Sequence, residues 1–290
     1  MGGTTYSNSR RMSKSSTLDY MASDLSSHLG TVFKQNISRK IHESMDPKQA
    51  LMRESRYSAA HPKVIPVIVG LDVTGSMGDI PVLFVQNGLP TLMTTLIDKG
   101  VDTSVLFLGI GDHVFDSAPL QVGQFESGDE ELDIWLTRLF VEKGGGHNQG
   151  ESYLLAWDFA NRCVKTDYWE KDKKKGYIFT IGDEPSLPLV SQSSLKEIYG
   201  EDCARIDDVS LISSLTEKYH IYHFNILNRS GSRELVKNYW KDILGQNAIN
   251  IEDYKTIPNL IADIIFNNEV GAVFEPTPTT ASSWGDEIML

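Results

Sequence analysis

Residues 68–81 read IVGLDVTGSMGDIP. The apolar run Val67-Ile68-Val69 ends in Asp72, Thr74 and Ser76, spaced two apart, with Gly75 and Gly78 loosening the backbone between and after them. The surrounding segment KVIPVIVGLDV (63–73) is apolar on both faces, as a central strand of a covered parallel sheet must be. A helix is expected over 79–99. Pro81 falls in its first turn, where the missing N–H costs nothing, and Pro90 is placed to kink it. A buried strand that runs into one carboxylate and two hydroxyls, then into a helix, sets the class of fold and the place to look for chemistry.

Strand and helix alternate outward from this stretch. TSVLFLGIGD (103–112) reads as a strand, LQVGQF (120–125) as a short edge strand, and 129–140 as a helix. The glycine-rich loop EKGGGHNQGES (142–152) opens onto the helix YLLAWDFANRCV (153–164). YIFTIGDEP (177–185) is a third central strand ending in acid. Short helices are expected in SLKEIYG (194–200) and DVSLISSLTEKY (208–219). The strand IYHFNIL (221–227), the helix SRELVKNYWKDIL (232–244), the strand NAINI (247–251) and the helix IPNLIADIIFNNE (257–269) close the series. The pattern predicts an α/β fold: a doubly wound, mostly parallel sheet of about six strands with helices on both faces. This domain is expected over 61–270. Residues 1–60 are expected to hold a flexible segment and a helical arm over 17–43, in which Leu18, Met21, Leu25, Leu29, Val32 and Phe33 recur at helical spacing. MRESRYSAAHPK (52–63) reads as a connector, and residues 271–290 as a Pro/Thr/Ser-rich tail.

Of the 290 residues, 40% are hydrophobic and 23% charged, enough apolar material for a sizeable core. The net charge of −12 argues against a general nucleic-acid binder and suits a protein that holds cations or meets basic partners. Two cysteines without a CxxC pair point to a reducing, cytoplasmic setting rather than a disulfide framework or a zinc site. No apolar run approaches the ~20 residues of a membrane span, and no signal-peptide stretch is present.

Ligands in such folds bind at the carboxyl ends of strands. Three loops carry oxygen donors there: Asp72, Thr74 and Ser76 on the first; Asn148, Glu151 and Ser152 on the second; Asp183 and Glu184 on the third. Asp112, ending the second strand, is expected at the rim or behind the ligands. Hard oxygen donors favour Mg2+, Mn2+ or Ca2+ over zinc or copper, and a set short of carboxylates leaves room for the waters that magnesium keeps.

DVTGSM resembles the D-x-[ST]-x-S signature of von Willebrand factor type A (VWA) domains, whose metal-ion-dependent adhesion site is completed by two further loops. The resemblance runs from about Val64 to Asn268. Asp72, Thr74 and Ser76 match the first motif, and Asp183 in IGDEP matches the third-loop aspartate shifted by one. The second loop departs: Glu151 stands where many members have threonine, with Asn148 and Ser152 as the other candidates, and Glu184 falls at the rim. The whole chain is similar to uncharacterised bacterial and phage VWA proteins through RESR, LDVTGSMGDIP, APLQVGQFES and GGG…ESY. The resemblance implies Mg2+, with Mn2+ or Ca2+ as alternatives, held by Asp72, Thr74, Ser76, Glu151 and Asp183. It implies protein binding rather than turnover, an acidic partner residue completing the metal shell. An AAA+ ATPase or another assembly component is the partner class suggested by analogy. A third carboxylate would tighten the metal and weaken its pull on an acidic partner.

Other readings compete. Asp-x-Thr-Gly-Ser also resembles the D-K-T-G-T of haloacid-dehalogenase-type phosphoryl-transfer enzymes, which would make Asp72 a magnesium-assisted nucleophile. GDEPSL lacks the second aspartate that class requires. TGSMG is nearly a nucleophile elbow, but Thr74 replaces its first glycine. KGGGHNQG lacks the G-K-[ST] ending of a P-loop. Helix capping alone would not call for three converging oxygen loops. A magnesium-dependent phosphohydrolase or phosphotransferase using Asp72 stands as the alternative function.

Overall fold

The computed structural model describes residues 6–7, 40–142, 150–227 and 233–271. The expected N-terminal helix, Asn148 and the tail beyond residue 271 lie outside the described residues, apart from the end of that helix, where Glu43–Met45 forms a 3-10 turn.

In chain order, β1 (Arg53–Ser55) and β2 (Ile65–Asp72) precede α1 (Ile80–Leu83), a π-helical turn (Phe84–Gly88) and α2 (Leu89–Asp98). Then come β3 (Thr103–Ile110), β4 (Leu120–Val122), α3 (Asp129–Thr137), α4 (Tyr153–Arg162), β5 (Val164–Thr166), α5 (Asp167–Glu170) and β6 (Gly176–Gly182). The remainder is β7 (Leu189–Val190), α6 (Gln192–Tyr199), β8 (Ile206–Asp207), α7 (Asp208–Leu215), β9 (Tyr219–Ile226), α8 (Arg233–Leu244), β10 (Ala248–Ile251) and α9 (Ile257–Val270). Six strands pair in the order β10-β9-β6-β2-β3-β4, all parallel except the edge strand β4.

Every residue of β2, β3 and β6 is buried, because helices cover both faces of the sheet. On one face Val67, Val69, Leu71 and Phe179 share a core with Leu92 and Leu96 of α2 and Ile261 and Ile265 of α9. On the other, Ile68, Leu106 and Ile178 join Leu154 and Trp157 of α4, Leu215 of α7 and Trp240 of α8. The register sets the site: Asp72, the last residue of β2, lies opposite Ile110, and Leu71 opposite Ile181, so Asp183 leaves the sheet beside Asp72.

Three local features depart from the expected reading. Just before Pro90, where a kink is expected, the helix widens: the Leu89 N–H donates to the carbonyl of Phe84, five residues back. Pro90 has no N–H to close an ordinary turn, and the π segment absorbs the missing bond. This helix, Ile80–Asp98, is long and apolar enough to cross a membrane, but most of it is buried in the domain as a core helix. Finally, the expected connector contains β1, which pairs in parallel with β5 outside the main sheet. Ser55 and Ser104 join their hydroxyls at 2.7 Å, fixing this segment to β3.

The C-terminal end of α9 is also fixed. Glu269 accepts hydrogen bonds from the hydroxyls of Tyr168 at 2.6 Å and Tyr177, near the start of β6, at 2.9 Å. A carboxylate at a helix C-terminus is unfavourable to the helix dipole, and the two phenols offset that.

Candidate metal centre

Asp72 is the last residue of β2 and is fully buried. The chain leaves it in extended conformation, and Thr74 precedes a 3-10 turn over Gly75–Met77. Thr74 occupies the cap position of that turn but makes no capping bond, nor does Asp79 cap α1. The Thr74 hydroxyl turns back and donates to Asp72 Oδ1 at 2.6 Å, and the Thr74 amide donates to the same oxygen at 2.9 Å. Capping is therefore not what these residues do. Thr74 Oγ1 lies 3.2 Å from Ser76 Oγ, and Ser76 Oγ donates to Asp183 Oδ1 at 2.8 Å. One chain of contacts thus links two carboxylates and two hydroxyls across the mouths of neighbouring strands.

The second and third loops are joined by main chain. Glu151 and Ser186 form a parallel β-bridge, with Glu151 N donating to Pro185 O and Leu187 N to Glu151 O, each at 2.9 Å. Glu151 is buried, and its Oε2 has no hydrogen-bond partner among the described residues. Ser152 faces elsewhere: its Oγ accepts from the His113 amide at 2.9 Å and lies 2.8 Å from His113 Nδ1. Asp112 holds its own turn, Oδ1 accepting from the Val114 amide at 2.8 Å. Glu184 is half-buried, and its carbonyl, rather than its carboxylate, is anchored in the domain. The structure therefore brings Asp72, Thr74, Ser76 and Asp183 into contact and sets Glu151 beside them. Among the described residues no group of three or more His, Cys, Asp or Glu side chains is gathered as a metal cluster.

Sequence reasoning missed Tyr153, the first residue of α4. Its hydroxyl donates to Asp72 Oδ2 at 3.1 Å, so both oxygens of Asp72 are engaged. Burial, then the charge of Asp72, raises the phenol well above its ordinary value, so it stays a donor at neutral pH. Gly182, the last residue of β6, makes room for it: a Cβ there would lie 1.7 Å from the Tyr153 oxygen. The GD of IGDEP was the only local signal of that close approach.

The electrostatics are those of acids crowded out of water. Burial, and next the charge of Asp183, pushes the Asp72 carboxyl up to about 7 despite the hydrogen bonds from Thr74 and Tyr153. Burial, and next the charge of Asp72, pushes Glu151 up to about 10. Desolvated carboxylates, paired hydroxyls and a buried carboxylate oxygen without a partner among the described residues form an oxygen-donor set that fits a divalent cation. Asp72, Thr74, Ser76 and Asp183 would hold it, with Glu151 alongside.

No family model matches the chain, and no characterised protein matches it in sequence. Among solved structures, it is similar to the pilus adhesin SpaC from Lactobacillus rhamnosus GG in its open conformation, at 10% identity and a TM-score of 0.49, over 74% of this chain and 31% of the adhesin. It is also similar to proximal thread matrix protein 1 from the mussel byssus, described with a zinc-occupied MIDAS motif, at 8% identity and a TM-score of 0.45, over 74% of this chain and 48% of that one. This chain spans less than half the length of either. Likeness at this level is one of α/β architecture; the carboxylates and hydroxyls at the strand mouths belong to this chain's own geometry.

Proposed function

We propose that the chain is a VWA-type, divalent-cation-dependent protein-binding module without enzymatic turnover. The observation that carries this reading is the continuous contact from Asp72 through Thr74 and Ser76 to Asp183 across two adjacent strand mouths. A bound Mg2+, with Mn2+ or Ca2+ as alternatives, would supply a Lewis-acidic position for a carboxylate of a partner protein. The chain's part is to hold the acids in place: Thr74 and Tyr153 orient Asp72, and Ser76 orients Asp183. The partner class is a protein bearing an exposed acidic residue, with an AAA+ ATPase or another assembly component as the proposed case. A reducing, cytoplasmic setting accompanies this reading, supported by the two free cysteines, Cys163 and Cys203.

The rival phosphoryl-transfer reading needs an accessible Asp72 oxygen for attack. Asp72 is fully buried and both of its oxygens accept hydrogen bonds, which disfavours that role. Calorimetric titration of Mg2+, Mn2+ and Ca2+ into chelator-stripped protein tests the proposal. Saturable binding is expected for the wild type and not for Asp72→Ala/Ser76→Ala, together with no hydrolysis of p-nitrophenyl phosphate by either. Wild-type turnover that Asp72→Asn abolishes would sink the adhesion reading.

A further inference from the structure

The loops of the metal centre are held from behind by an aromatic stack. Trp240, on α8, is fully buried, and its indole Nε1 donates to the carbonyl of Glu184 at 3.1 Å. Its ring lies on His223 of β9 with centroids 3.5 Å apart and planes 11° apart. His223 is fixed in turn, its Nδ1 2.9 Å from Thr180 Oγ1. Tyr153 meets both rings edge-on, at 5.1 Å from His223 and 5.2 Å from Trp240. The stack therefore reaches two of the oxygen-bearing loops: the third through a main-chain hydrogen bond, the first through the phenol that donates to Asp72.

The third loop needs such a hold. Asp183 and Glu184 lie between Gly182, the last residue paired in β6, and Pro185, whose φ is fixed. Rotation of the Asp183–Glu184 segment about Gly182 would carry Asp183 away from Ser76. The Trp240 bond to the Glu184 carbonyl, made by a residue 56 positions away, opposes that rotation on the Asp183 side of the Glu151 bonds to Pro185 and Leu187.

We propose that Trp240 is a positioning residue of the cation site, so that α8, which contributes no oxygen to the site, sets its affinity. This rests on the cation-binding reading above. Groups that orient metal ligands typically change metal affinity by about 10–100-fold when removed, whereas loss of packing at an independent position lowers stability and leaves affinity within about two-fold.

The test is a calorimetric titration of Mg2+ into four forms of the full chain. They are the wild type, Trp240→Phe, the protein with Trp240 replaced by 3-benzothienylalanine, and Val236→Ala. The benzothienyl side chain keeps the shape and stacking of the indole without its donor, so it separates loss of the hydrogen bond from the loss of packing in Trp240→Phe. Val236 is a fully buried residue of the same helix and serves as the packing control. Both Trp240 replacements are expected to bind Mg2+ about ten-fold or more weakly. Val236→Ala is expected to bind as the wild type does while its urea midpoint falls. Unchanged affinity in the benzothienyl protein, or an equal loss in Val236→Ala, overturns the inference and leaves the cation reading standing. Absence of Mg2+ binding by the wild type overturns both, a different pattern from the other two.

Discussion

Substituting Gly182 by alanine tests the geometry around Asp72 most directly. Gly182 is not in the left-handed region, so its requirement is for space rather than for backbone freedom. The added Cβ would lie 1.7 Å from the Tyr153 oxygen, 2.7 Å from its Cζ and 3.1 Å from the Asp72 Cβ. Ordinary contact needs about 3.5–4 Å, so the fully buried phenol must retreat by roughly 2 Å and lose its bond to Asp72. Overpacking of this kind costs about 1–3 kcal/mol, and loss of a hydrogen bond to a carboxylate a further ~1.5–3 kcal/mol. Tyr153→Phe alone should cost about the second amount. In the double variant the worst contact disappears and the hydrogen bond is lost once rather than twice. The double should therefore be more stable than the sum of the singles predicts by about 2 kcal/mol. Urea denaturation of the four proteins in EDTA supplies the cycle. Additivity within about 0.5 kcal/mol would mean that Gly182 and Tyr153 act independently, and the account of Asp72 being held from α4 would fail.

Other expectations can be checked by similar means. Asp72 ionises at about 7 when folded against an ordinary 3.8, so the folded state binds its proton more tightly. The Asp72 contribution to metal-free stability should then fall as pH rises from about 4 to about 7 and level off above, a part of the slope that Asp72→Asn should remove in urea melts. Magnesium should oppose this fall, and its affinity should rise over the same interval. Glu151, raised to about 10, keeps its proton at pH 7 where the unfolded chain has released it, so Glu151→Gln should raise metal-free stability there by about 3 kcal/mol; no gain would show that the folded carboxyl titrates in the ordinary range. Asp167 has the opposite sign. It is held down at about 2, opposing the effect of burial, by Lys171, the Tyr57 amide and Arg56. Its stabilisation should be complete above its ordinary 3.8 and disappear as pH falls through 2, and Asp167→Asn should cost about 2 kcal/mol at pH 7.

What could be read from the chain alone was whatever sits in consecutive residues. Asp72, Thr74 and Ser76 follow a strand whose apolar run is unmistakable, and Asp183 follows another, so their shared edge was legible from the alternation of strands and helices. Tyr153 and Trp240 were not legible, because their roles rest on contacts with residues 81 and 56 positions away. β1 and β5 are three residues each, too short for a periodic signal, and exist because they pair with one another. Pro90 announced an irregular helix, but whether the chain bends or widens depends on packing against the sheet. Glu151 read as the ligand of its loop with Ser152 as the other candidate; His113 takes Ser152, and Glu151 keeps one oxygen without a partner among the described residues.

The clasp of Glu269 by Tyr168 and Tyr177 gives the molecule a polarity. Tyr177 stands near the beginning of β6 and Asp183 just past its end, so the clasp and the candidate metal centre occupy opposite poles of the sheet, roughly 20 Å apart along the strand. α9 finishes at the far pole, and the chain passes Gly271 there. The length of β6 therefore separates the clasp from the acidic mouths.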